Sequence, residues 1–120
     1  ERSWDRKDID AKTVVLGITH GEDAVGYPVE QVQNAGGIVS DTVGGLDVLI
    51  VSSGNDIHAF EDPGYEFEFR EGMLYGDGAK WDATTGRSDD GRTIPRVPSR
   101  RLYAFAWQDD HGPKSFYGLT

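Results

Sequence analysis

Apolar runs and apolar–polar alternation divide the chain into short extended segments. "TVVLGIT" (residues 13–19) reads as a buried strand, "GED" as a hairpin turn and "AVGYP" as the returning strand. Pro28 closes that strand and suits the first position of a helix, "PVEQVQNAGG". There Val29, Val32 and Ala35 recur at helical spacing and Gly36 supplies the stop. "GIVSDTV" and "LDVLIVSS" predict two strands joined at Gly44 and Gly45. In "YEFEF", Tyr65, Phe67 and Phe69 alternate with Glu66 and Glu68, so the aromatics face a core and the carboxylates face water. "MLYG" is a further short strand, followed by a Gly/Asp-rich turn and Trp81. Residues 82–98 are polar with two prolines and read as a long surface loop. Ser99 is placed to cap a second helix running to Gln108, with Leu102, Phe105 and Ala106 as its stripe and Tyr103 and Trp107 beside it. "SFYG" predicts a last strand.

The pattern predicts a mainly β (β-rich α+β) fold: short antiparallel strands in a sandwich or partly open barrel, with two short helices. Residues 1–12 form a charged, loosely held lead-in, and residues 13–120 one domain, a size that can bury a core without metal or disulfide help. The N-terminus shows no basic-then-apolar leader, which fits a cytoplasmic chain, a processed one or a piece of a longer protein. No apolar run is long enough to span a bilayer.

Charge narrows the functional classes. The chain carries 21 acidic against 12 basic residues, net −9, a balance that repels nucleic acid and anionic lipid. Aspartate dominates the acids and lysine is scarce, the composition expected of a protein kept soluble at high salt by a screened acidic surface. The absence of cysteine removes disulfides, thiolate zinc sites and cysteine nucleophiles.

The chemistry-bearing residues give weak signals. His20, His58 and His111 lack metal-ligand spacing, so no metal site is expected. His58 alternates with Ile57 and Ala59 and should point to the opposite face of its strand. His111 follows a helix C-terminus beside Asp109 and Asp110. Capping of the last carbonyls is favoured there over catalysis. The loop from Asp82 to Gly91 has aspartates and a central Gly86 but not calcium-loop spacing; a solvated loop is favoured over weak calcium binding. "VSSGND" lacks the first glycine of a nucleophile elbow, and "GGIVSDTVGG" leads into a strand where a phosphate loop needs a helix. Met73 reads as a core residue at a strand start, more than as a haem ligand, and no cofactor is expected.

Taken together, "RSWD", "GEDAVGYPVEQV", "SDTVGG", "GNDIHAFE", "KWDATTGR" and "LYAFAWQDDHG…FYG" resemble, in order and spacing, the bacterial and archaeal family called domain of unknown function 3179. Its pattern has "AYP" before a short helix, matched by Tyr27-Pro28, and "NDtVGG", matched by Asp41 to Gly45. Trp81 matches its "TG-S-x-W" element, and Trp107, His111, Gly112 and Pro113 approximate its closing "FxxWxxfHPdT". Where many members carry "CPLC", this chain has "VSSGND"; it resembles the cysteine-free C-terminal half of longer members, and thiol or metal chemistry does not carry over. The resemblance implies an extracytoplasmic location, with cytoplasmic the alternative, and suggests an archaeal halophile as source. The leading expectation is a non-catalytic accessory or binding module, open to a protein partner or self-association. One alternative is an enzyme or redox-associated domain with a polar site at Tyr27, Asp41, Trp81 and His111; another is a self-assembling surface or filament subunit. Convergence of those four residues would favour the enzyme, and their dispersal the module.

Overall fold

A computed structural model describes Trp4 and residues 6–119. Its elements are β1 (Val14–His20), β2 (Asp23–Pro28), α1 (Val29–Asn34), β3 (Ile38–Val43), β4 (Leu46–Ser53), β5 (Asp56–Glu61), β6 (Phe67–Arg70), β7 (Met73–Gly76), β8 (Ala79–Trp81), β9 (Arg100–Tyr103) and α2 (Ala104–His111). The fold is mainly β: three small antiparallel sheets ordered β2-β1-β9, β3-β4-β5 and β6-β7-β8, with no closed barrel.

The sheets stack because two strands are apolar on both faces. In β4, Val48 and Ile50 join a core shared with Leu16, Ile18 and Tyr27 of the first sheet, while Leu49 and Val51 join Leu74 and Trp81 of the third. In β1, Leu16 and Ile18 face that first core, and Val15 packs with Ala104 and Trp107 of α2. A strand covered on both sides loses the period-two signature, which is why these two read as continuous runs. The "YEFEF" strand keeps it: Phe67 and Phe69 are half-buried, Glu66 and Glu68 exposed. Near 25 cal/mol per Å² of apolar area, these contacts are the main stabilising term.

Several expectations are corrected. Residues 100–103 are a strand, and α2 begins at Ala104, so Ser99 caps nothing. Pairing of Leu102 with Val15 and Arg101 with Leu16 gives β1 its second neighbour, and this ladder outweighs the weak helical stripe. The first free N–H groups of α2 are met by main chain: Ala104 donates to the Thr13 carbonyl (2.9 Å) and Phe105 to that of Ala11 (3.0 Å). The buried face of α2 is Ala104 and Trp107, while Phe105 is exposed. The first helix ends at Asn34, leaving Ala35 exposed beyond it. "SFYG" makes a single parallel bridge, Phe116 to Gly26. Residues 82–98 are not wholly superficial: Ile94 and Val97 are buried, and Val97 donates to the Ala59 carbonyl along the outer edge of β5. Met73 starts a strand but lies exposed. The lead-in is held in its described part: Ile9 is buried with Trp107, and Arg6 bonds Gln108 and the Pro113 carbonyl. Of "RSWD", only Trp4 falls among the described residues.

Candidate functional site

Tyr27 and Asp41 come together. Tyr27 is fully buried in β2, and its hydroxyl donates to Asp41 Oδ2 at 2.7 Å. Asp41 shares the inward face of β3 with Val39 and Val43, and its other oxygen accepts the Thr42 N–H at 2.9 Å. Burial raises the Tyr27 pKa, and the Asp41 carboxylate raises it further, so the phenol stays protonated. Next along the chain, Gly44 lies against the end of β1. A Cβ there would stand 1.9 Å from the His20 carbonyl oxygen, and its φ of 54° suits glycine. Its N–H donates to Asp23 Oδ2 at 3.1 Å, and its carbonyl lies 3.0 Å from His20 Nδ1. The Asp41–Gly45 segment is thus a joint between the β1–β2 and β3–β4 hairpins. A sealed, protonated phenol with a satisfied partner is structural chemistry.

Trp81 belongs elsewhere. It is buried between the second and third sheets, donates to the Gly76 carbonyl at 2.9 Å and meets Tyr65 and Phe67 ring to ring. The loop that follows uses its carboxylates internally. Asp82 accepts the Thr84 N–H at 2.8 Å, Asp89 that of Lys80 at 3.2 Å, and Asp90 pairs with Arg92. The Arg92 hydrogen bond, then that from Ser88, takes the Asp90 pKa down to about 2. Among the described residues no three metal-capable side chains converge.

His111 ends α2 on the far face of the first sheet from Tyr27. There the indole of Trp107 lies flat on a cross-strand pair of glycines, Gly17 and Gly26. A Cβ would come within 2.3 Å of the ring at Gly17 and 2.5 Å at Gly26, so only glycine leaves room for it. Trp107 donates its N–H to the Ser115 carbonyl at 3.1 Å. The exposed His111 ring stacks on the indole with centroids 4.0 Å apart. It is not the expected cap, because the Gly112 N–H takes the Gln108 carbonyl at 2.8 Å. Thr19, Ser99, Arg100, Asp110 and His111 border a cleft of about 660 Å³ with Gly17 and Trp107 as its floor. The cleft therefore offers hydroxyls, an imidazole and both signs of charge above an aromatic base.

A fourth constellation escaped the sequence reading. His58 does point away from Ile57 and Ala59, and it is buried. Its Nδ1 faces Arg96 Nη1 and Arg101 Nη2, each at 3.2 Å. Guanidinium only donates, so Nδ1 is the acceptor and the ring proton sits on Nε2. Asp56 Oδ2 lies 3.3 Å from Nε2 without the alignment of a hydrogen bond, and that nitrogen is left unsatisfied. With the Nδ1 lone pair taken up by two guanidinium groups and the proton on Nε2, this imidazole has no free lone pair for general-base work. The available signal was the crowding of five of the eight arginines into residues 87–101 of an acidic chain.

The family model described as Protein of unknown function (DUF3179) matches residues 2–115. The chain belongs to this family. No curated protein and no solved structure matches it. The family elements at Tyr27 and Asp41 form the hairpin joint, the one at Trp81 a core ring, and the closing one the indole seat and the cleft beside it. No helix among the described residues is long and apolar enough to cross a membrane.

Proposed function

We propose that the chain is a non-catalytic binding module of an exported protein adapted to high salt, and that its ligand enters the cleft beside Trp107 and His111. The dispersal of the candidate residues carries this reading. Tyr27 and Asp41 are consumed in a joint between hairpins, Trp81 is buried in a separate core and reaches other surface pockets than the one at the helix end, and His111 opens onto the cleft beside Trp107, so the four do not share a site. The mixture of Arg100, Asp110, Ser99 and Thr19 around that surface suits a polar solute. Titration of the isotope-labelled protein with pooled amino acids, sugars and small dicarboxylates tests it. Saturable resonance shifts at Thr19, Arg100 and His111 are expected. Shifts centred on Tyr27, or chemical turnover of any pool member, would overturn the reading.

Export rests on the family resemblance, and the salt adaptation on the excess of aspartate over lysine at net −9. Screening relieves the repulsion between like charges, so the thermal midpoint should rise from low to molar potassium chloride by more than excluded-salt effects give a neutral reference protein. An unchanged midpoint would count against it.

A further inference from the structure

We propose that Arg96 and Arg101 form a receptor for a doubly charged oxyanion of the phosphate or sulfate type. Local charge is the first ground. Residues 87–101 hold five arginines against two aspartates, inside a chain of net −9. Arg92 takes one of those aspartates, Asp90, together with Asp77. Among the described residues Arg96 has no carboxylate within ion-pair distance, and Arg101 has one long ion pair, to the exposed Asp56 at 3.7 Å.

The second ground is convergence. Two guanidinium groups reach one atom, His58 Nδ1, a neutral acceptor where two cations would ordinarily gather around an anion. Both are fixed in advance. Arg101 also donates to the Ile57 carbonyl at 2.5 Å; Arg96 donates to the Thr84 carbonyl and lies over the Phe60 ring. The side-chain freedom that binding would otherwise remove is already restricted.

The third ground is the count of donors. Guanidinium has five N–H bonds, and among the described residues the Nε groups of both arginines and Nη1 of Arg101 make no hydrogen bond. Two cations with unused donors match a dianion, and the planar fork matches its oxygens. Asp56 opposes this charge, with one oxygen 3.3 Å from His58 Nε2 and the other 3.7 Å from Arg101 Nη2, so the anion approaches the edge of Arg101 that carries Nε and Nη1. Arg100, on the opposite face of β9, borders the cleft described above, so the two sites are independent.

The test is a titration of labelled protein with inorganic phosphate at constant ionic strength set by sodium chloride, following the Nε–H signals of Arg96 and Arg101 and the His58 ring. In the wild type these signals should shift saturably, with sulfate acting like phosphate and acetate at least tenfold weaker. Arg101→Gln should weaken phosphate binding at least tenfold, and Asp56→Asn should tighten it several-fold; both side chains are about half exposed or more, so folding is not at stake. Arg70→Gln, on β6, should leave it unchanged. Linear shifts, equal affinity for acetate, wild-type affinity in Arg101→Gln, or a loss in Arg70→Gln matching that in Arg101→Gln would each overturn the proposal.

Discussion

The hairpin joint at Tyr27, Asp41 and Gly44 and the helix end at Trp107 and His111 both carry family elements, and they use them differently. In the joint every polar group named above has a protein partner and the phenol is fully buried. At the helix end the indole is equally buried, but the imidazole on top of it is exposed and borders open volume. Burial and the saturation of donors and acceptors separate a structural tie from a surface that can accept something else.

The largest effect that can break this comparison lies under the helix end. Trp107→Ala removes a buried indole and should cost about 3–5 kcal/mol in denaturant melts. The reverse intrusion, Gly17→Ala, places a methyl within 2.3 Å of the ring and should cost about 1–3 kcal/mol. A neutral Gly17→Ala would show that the indole does not rest on the glycine pair.

The joint comes next. Tyr27→Phe leaves the inward oxygen of Asp41 without its donor and should cost about 1–3 kcal/mol at neutral pH. Because burial raises the Tyr27 pKa, its contribution is complete below the ordinary tyrosine value of 10.0 and is lost as pH rises further. Alkaline melts of the wild type should therefore decline more steeply than those of Tyr27→Phe, and parallel curves would argue that the phenol is not buried in solution.

The smallest effect sharpens the contrast. His111→Ala removes only an exposed ring stacked on Trp107 and should cost about 1 kcal/mol or less. The same variant should abolish ligand-induced shifts in the cleft. A loss as large as that of Trp107→Ala would make His111 a core residue and remove the contrast altogether.

Much of the fold was legible because local rules decided it. The alternation in "YEFEF", the glycine-joined hairpins and the proline entering α1 each reflect constraints within a few residues. What was not legible depended on distant chain. "RRLY" is a strand because Val14 to Gly17 lie beside it, a fact that nothing in residues 99–108 encodes. Trp107 is buried as expected, but not through the helical stripe that suggested it, since Leu102 lies in β9 and Phe105 is exposed; the glycines that receive the indole were not legible, because Gly17 and Gly26 look like ordinary strand interruptions. The arginines around His58 were hidden for the same reason, being contributed by a stretch read as loop and helix start.

The pairing of Val14 with Tyr103 has a kinetic consequence. The β1–β2, β3–β4–β5 and β6–β7–β8 ladders each close over short turns, whereas β1 meets β9 only after every other strand has been passed along the chain. Loop closure of that length is entropically unfavourable until the intervening sheets have shortened the distance, so β9 and α2 should dock last. Trp107 in the floor of the cleft, and Arg100, Asp110 and His111 on its border, come from that final step, which makes binding competence a late event in refolding. Pulse-labelled amide protection appearing at Leu102 together with Ile50, instead of after it, would refute this order.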